Sequence, residues 1–233
     1  MRIGPAVIKE VAAFLMTPAG AAVTSINCLK NPIGDDGLAT LVAAVKDSSV
    51  RSICGLTEGQ TVADFSNMGL TPFDCHILSA EFEFRGFIAA MKKVTLSENF
   101  LFGSKLMFDT YGDPIHDIDA DQTGWSSLCD SLKGSSIEEL VLCDIGMGVN
   151  GVASLADAIK FMAAVARLIL DENPLTGNMY DADKDISSVT TLFDTLKTSS
   201  VTELGLAKCG LGPGSLDKLT EYVREATAAV ARL

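Results

Sequence analysis

Along the segment VTSINCLKNPI (residues 23 to 33), apolar or small side chains stand at positions 1, 4, 6 and 11 and an asparagine at position 9: Val23, Ile26, Cys28, Ile33 and Asn31. The same five marks fall on Met91, Val94, Leu96, Asn99, Leu101 and on Ile137, Leu140, Leu142, Ile145, Met147. They return on Val165, Leu168, Leu170, Asn173, Leu175 and on Val201, Leu204, Leu206, Cys209, Leu211. A partial frame, Val50 and Ile53 in VRSICGL, lies between the first two copies. Positions 4 and 6 share one face of a short strand, and position 9 turns the chain away from it. Between the frames, GLATLVAAV (37 to 45), GWSSLCDSL (124 to 132), GVASLADAI (151 to 159), SVTTLFDTL (188 to 196) and SLDKLTEYVREA (215 to 226) carry apolar residues three or four apart, which predicts helices with one buried face. Asp36, Asn150, Thr123 and Ser187 are the expected N-caps. Val62 to Leu70 reads as an extra extended stretch within a lengthened repeat, and a longer helix is predicted from about Pro72 to Met91.

The frame resembles the leucine-rich repeat, L-x-x-L-x-L-x-x-N/C-x-L, and a glycine after it, as in PIGDDG and GLGPG, is similar to the ribonuclease-inhibitor-like subfamily. Strand and helix in repeated succession imply an α/β solenoid: a right-handed βα superhelix with a parallel sheet on the concave face and helices on the convex face. The expectation is one domain over residues 1–233, of about six to seven units, with insertions near 55–70, 104–123 and 178–187. At position 9, the amides of Asn31, Asn99 and Asn173 can bond loop backbone that stacking would otherwise bury unpaired; Cys209 is a smaller substitute and Ile145 departs from the pattern.

GMGVNG, with Gly146, Gly148 and Gly151 spaced as G-x-G-x-x-G, precedes a helix, and Asp171 follows where a dinucleotide-binding unit would keep its ribose-binding acid. In the repeat frame, Gly148 is instead the turn glycine matching Gly34 and Gly212, and Gly151 opens a helix as Gly37 and Gly214 do. No cofactor is therefore expected.

Two units carry related acidic insertions. Asp117, Asp119, Asp121 and Thr123 align with Asp181, Asp183, Asp185 and Ser187 at an offset of 64 residues. Alternating carboxylates can gather round a hard cation, and a calcium-dependent adaptor is the alternative function. Gln122 and Ile186 replace the glycine such a loop needs, however, and Leu128 and Leu192 replace its bidentate glutamate. The expectation is a solvated loop whose last polar residue caps the next helix, with no bound metal.

Composition narrows the function classes. The chain has 48% hydrophobic residues and a net charge of -12, so it can build an extended core and is unsuited to nucleic acid or anionic lipid. Lys9, Glu10 and Arg167 interrupt the longest apolar runs, and the N-terminal segment lacks the pattern of a signal peptide. Six unpaired cysteines (Cys28, Cys54, Cys75, Cys129, Cys143 and Cys209) fit a reducing, cytoplasmic compartment. Catalysis has little to stand on: His76 beside Cys75 points elsewhere on a helix, His116 lies in an acidic loop, and Trp125 is an apolar anchor for the first insertion.

These observations predict a non-enzymatic protein-interaction scaffold or assembly subunit. Position 5 lies at the centre of the exposed sheet face and runs Asn27, Cys54, Thr95, Val141, Ile169, Gly205, with Glu98, Glu139, Asp144, Arg167, Asp171 and Glu172 around it. An apolar strip in an acidic rim suits a protein partner, preferably basic. AVARL occurs at 164 to 168 and again at 229 to 233, so the chain stops partway into a further frame, and IGP (3 to 5) resembles the tail of a preceding unit. The expectation is a longer solenoid, or ends covered by another protein in an assembly.

Overall fold

The computed structural model describes residues 3–83, 90–103, 118–177, 181–226 and 230–233. After α1 (Pro5–Leu15) and α2 (Gly34–Lys46), strands and helices alternate: β1 (Val62–Asp64), α3 (Pro72–Glu83), β2 (Lys93–Thr95), α4 (Thr123–Leu132), β3 (Glu139–Val141) and α5 (Val149–Ile159). The series ends with β4 (Arg167–Ile169), α6 (Ser187–Leu196), β5 (Glu203–Gly205) and α7 (Pro213–Glu225). The five strands form one parallel sheet in sequence order. Helices lie on its other side, which makes the fold the leucine-rich-repeat-like solenoid expected from the frame.

The register shows why the spacing recurs. Ala63, Val94, Leu140, Leu168 and Leu204, all at position 4, stand side by side across the sheet and are buried. Phe65, Leu96, Leu142 and Leu170 form a second buried row at position 6, and Leu101, Met147 and Leu175 a third at position 11. Each such side chain contributes roughly 1.5–3 kcal/mol by leaving water, and none finds enough apolar surface within its own coil.

Two further regularities belong to the backbone. Lys30, Asn67, Glu98, Asp144, Glu172 and Lys208, the residues before position 9, all have left-handed φ between 48° and 62°. Position 9 then comes in two kinds that alternate from β1 onward. In one, asparagine is followed by Pro or Phe (Asn99, Asn173); in the other, Met68, Ile145 or Cys209 is followed by a glycine of positive φ, Gly69, Gly146 or Gly210.

The asparagines explain the alternation, because each serves two coils. Buried Asn173 donates to the carbonyls of Leu170 (2.9 Å) and Asp171 (3.2 Å) in its own coil and to Leu142 (2.7 Å) in the preceding one. Its oxygen accepts the amides of Ile145 and Met147, both at 3.1 Å. Asn99 likewise donates to Phe65, Leu96 and Ser97 and accepts from Leu70. Ile145 can depart from the pattern because Asn173, one coil on, satisfies its amide. Cys209 directs its thiol to the Leu170 and Ala207 carbonyls.

The N-terminal part corrects one expectation. Val62–Leu70 is not an extra stretch: it is a full coil whose strand opens the sheet, with Ala63, Phe65 and Leu70 in the buried rows. The partial frame, with Val50 and Ile53 buried, meets the first coil through isolated bridges, Ser25 with Ser52 and Asn27 with Cys54. Buried acids of α3 tie this region to the next. Glu81 accepts the Ile53 amide at 2.6 Å and Asp74 accepts the Lys30 amide at 2.6 Å. Burial raises the Glu81 carboxyl above its ordinary value, against hydrogen bonds from Ser52, Ile53 and Cys54.

The predicted N-caps are also displaced. Asp36, Asn150, Thr123 and Ser187 lie within the first turns of their helices, and the residues at the N-cap positions make no side-chain cap bond. Caps come from more distant residues, described below. We expect Asn99→Ala and Asn173→Ala each to cost about 2–4 kcal/mol, since each strands several buried backbone groups, and Cys209→Ala to cost about 1 kcal/mol or less. Urea unfolding midpoints at constant m-value measure both; equal losses at all three sites would contradict the two-coil role of asparagine.

Candidate protein interface

The outward positions of the strands form parallel rows on the concave face. Position 3 reads Lys93, Glu139, Arg167, Glu203, and the charges pair across the sheet: Lys93 to Glu139 at 2.8 Å, Arg167 to Glu139, and Arg167 to Glu203 at 2.9 Å. Arg232 extends the row, 3.6 Å from Glu203. Burial works against the charge on Glu139, yet Lys93 and Arg167 outweigh it and hold its carboxyl below the ordinary range. Glu139 and Arg167, expected in an acidic rim, therefore belong to an internal ladder of alternating sign. Its signal was present in the sequence as one residue per frame read down the third position.

Position 5 reads Asp64, Thr95, Val141, Ile169, Gly205. Thr95 and Val141 are half-buried, while Ile169 is 8% exposed. Gly205 explains Ile169: a Cβ there would stand 2.8 Å from Ile169 Cγ2 and 2.8 Å from Asp171 Oδ1. That space is taken by the Ile169 side chain, and beside it lies a cleft of about 210 Å³ lined by Ile169 and Gly205 and flanked by Arg167, Asp171, Glu203 and Arg232. Cys54 is not in this row. It is buried, and burial first, with nearby Glu81, raises its thiol well above the ordinary value. Asn27 is exposed outside the five-stranded sheet, its oxygen accepting the Leu29 amide at 3.1 Å.

At the strand ends, Ser97 accepts the Cys143 amide (3.1 Å) and Asp171 the Ala207 amide (2.8 Å), so Asp171 helps close the turns as well as flanking the cleft. Glu98, Asp144 and Glu172 share the left-handed position and line the edge of the sheet coil after coil. Glu98 and Glu172 are exposed, and Glu172 pairs with Lys208 at 2.9 Å.

The acidic loops have a use within the fold. Asp119 reaches the start of α5, accepting the amides of Gly148 (2.7 Å), Asn150 (2.8 Å) and Gly151 (3.4 Å). Its counterpart Asp183 does the same for α7, at Gly212 (2.9 Å), Gly214 (2.7 Å) and Ser215. Each insertion thus caps the helix of the following coil, where free amides and the helix dipole favour an anion. Asp121 and Asp185 bond Thr123 and Ser187 at the start of their own helices. Asp181 is exposed, and Asp117 and His116 lie outside the described residues. Among the described residues, no group of three His, Cys, Asp or Glu side chains could hold a metal ion.

The glycines of GMGVNG follow from this packing. Gly146 has φ 79°, a Cβ on Gly148 would stand 2.7 Å from Asp119 Oδ2, and one on Gly151 would stand 2.6 Å from Phe102 Cζ. Trp125 anchors α4 to α5, donating to the Gly151 carbonyl at 3.0 Å beside Phe102. Cys75 is fully buried, and burial, then Asp74 and Asp121, pushes its thiol far up, while His76 lies against Phe73.

The two capping acids differ in proton affinity. Burial dominates at Asp119 and raises its carboxyl despite three amide donors. At Asp183, burial is outweighed by the Ser215 hydroxyl and by the amides of Gly212, Ser215 and Gly214, and the carboxyl is lowered. The charge on Asp183 therefore stabilises the fold above about pH 4 and is lost as pH falls through its lowered value. Asp119 behaves oppositely: its contribution is full below about pH 4 and declines as pH rises through its raised value. We expect Asp183→Asn to cost about 1 kcal/mol at pH 7, fading in acid, and Asp119→Asn to cost less at pH 7 because asparagine still caps without the buried charge. Unfolding midpoints at pH 7 and pH 3 test this, and a larger loss for Asp119→Asn at pH 7 would refute it.

No family model and no curated protein matches the chain. Among solved structures, it is similar to the tropomodulin C-terminal domain of Caenorhabditis elegans, with a TM-score of 0.46 and 10% sequence identity over 71% of this chain and 83% of that chain.

Proposed function

We propose that this chain is a non-catalytic protein-interaction scaffold, of the ribonuclease-inhibitor-like kind of leucine-rich repeat, that binds an extended segment of a basic protein partner across its concave face. The observation that carries this reading is the cleft at Gly205. It lies beside the one position on the described strands where the outward row lacks a side chain, and Leu206 and Leu233 add apolar surface to its lining between charged walls. An apolar partner side chain seated in the cleft would place its basic neighbours near Asp171, Glu98 and Glu172. The net charge of -12 favours approach of a basic segment. Thr95, Val141 and Asp144 extend the surface toward earlier coils. Helices closing each coil, and glycine after position 11, support the subfamily assignment.

The same reading assigns the thiols no catalytic part. Buried thiols with raised proton affinity, Cys28 pushed up to about 11 and Cys209 to about 12, are poor nucleophiles. They suit a reducing, cytoplasmic setting. No described helix is long and apolar enough to cross a membrane.

The test uses a lysine-rich peptide with a central leucine, titrated into the isotope-labelled chain. The expected shifts fall on the amides of Val141, Ile169, Asp171 and Gly205. The double variant Glu98→Lys, Glu172→Lys should weaken binding by roughly tenfold or more, with a matching fall at high salt. Shifts confined to the helical side, or an affinity indifferent to the charge reversal, would dismiss the proposal. Calcium and a chelator should give the same affinity, because Asp119 and Asp183 are occupied by backbone amides; calcium-dependent binding would favour the adaptor alternative.

A further inference from the structure

Each coil from β1 onward follows its strand with a helix, and the first coil leads into α2, but the Ile53 coil has none. Residues 55–61 carry the chain from Cys54 directly to β1, through a turn in which the Gln60 amide donates to the Thr57 carbonyl at 3.1 Å. The helical layer is therefore one member short between α2 and α3. From below, α3 covers the helix-less coil with its buried acids, Glu81 on the Ile53 amide and Asp74 on the Lys30 amide. Its outer side turns the other way, toward α4. A Cβ on Gly124 would stand 2.0 Å from the Pro72 carbonyl oxygen, and Ser79 donates to the Ser127 carbonyl at 3.0 Å. Toward α2, α3 makes only peripheral contact.

A furrow along the convex face results. Its middle is a cleft of about 400 Å³, with Leu38, Ala39 and Val42 of α2 on one wall and His76, Ala80 and Glu83 of α3 on the other. A second cleft, of about 510 Å³, lies at the starts of the same helices, between Pro32 and Gly34 on one side and Gly69 and Phe73 on the other. Residues 34–83 are described without a break, so both walls and the link between them belong to the fold itself. The wall residues recur at three- or four-residue steps, so each wall follows its helix for about two turns. Leu38, Val42 and Ala80 are half-buried and Ala39 is exposed, which leaves a shallow apolar floor.

The rim has one sign of charge. Asp35, Glu83 and Asp130 line the middle cleft, Asp130 also pairing with Lys133 at 2.8 Å, and among the described residues no lysine or arginine lines it. That charge favours an outside basic helix over the chain's own insertion at 104–117, which holds three aspartates against one lysine.

We propose that this furrow docks an amphipathic helix of a partner protein, its stripe of small or aliphatic side chains set among Leu38, Val42 and Ala80 and its flanking lysines or arginines facing Asp35 and Glu83. Side chains at i, i+3, i+4 and i+7 of such a helix share the face that a furrow between two helices accepts. The surface is separate from the concave cleft and takes a different shape of ligand, a helix instead of an extended segment.

The probe is a synthetic helical peptide with leucines at i, i+3, i+4 and i+7 and lysines between them, compared with a scrambled peptide of the same composition whose leucines share no face. The helical peptide should bind the full chain at least tenfold more tightly, with amide shifts at Ala39, Val42, Ala80 and Ser127. The double variant Ala39→Arg, Glu83→Lys alters exposed positions only and should keep the unfolding midpoint while weakening that binding by roughly tenfold or more. Glu98→Lys, Glu172→Lys on the concave face should change it by less than about threefold, so this surface and the concave one succeed or fail separately. Equal binding of the two peptides, shifts elsewhere on the chain, or an affinity indifferent to Ala39→Arg, Glu83→Lys would overturn the proposal.

Discussion

Stacking coils buries the turns that follow each strand, and buried turns have backbone groups that sheet pairing does not reach. The rest of the fold depends on satisfying those groups. Asn99 and Asn173 do so from the next coil, with one amide side chain serving two turns. That economy lets the intervening coils place Met68 or Ile145 where asparagine would otherwise stand. It also couples neighbouring coils more tightly than apolar contact alone, because alternative apolar packings would not reproduce the hydrogen-bond geometry.

The same problem recurs at the helix starts, with carboxylates as its solution. Asp119 and Asp183 cross from one coil to cap the helix of the next, so a motif suggestive of cation binding is occupied by backbone amides. In the N-terminal region, where the sheet gives way to isolated bridges, Asp74 and Glu81 of α3 perform the joining from buried positions. Part of the chain's acidity is therefore structural. On the concave side, Glu98 and Glu172 are exposed at the strand edge, and Asp171 flanks the cleft.

On the concave face the charges of the third position pair with one another across the sheet, and Gly205 makes room for the Ile169 side chain beside a small cleft.

The buried rows, the strand-helix alternation and the asparagine turns were legible in residue spacing, because each depends on a local period that every coil repeats. The glycines of GMGVNG could be assigned to the repeat for the same reason. Other features were not legible. Whether Val62–Leu70 is an insertion or a coil, that Cys54 is buried instead of lining the concave face, and that Glu139 and Arg167 neutralise each other all depend on which residues lie one coil away. The sequence distance between such neighbours varies with every insertion: 46 residues from Lys93 to Glu139, 28 from Glu139 to Arg167 and 36 from Arg167 to Glu203. Spacing within a coil therefore prescribes what must be buried, whereas the register between coils, set by packing in three dimensions, decides which polar groups meet and which remain free to bind.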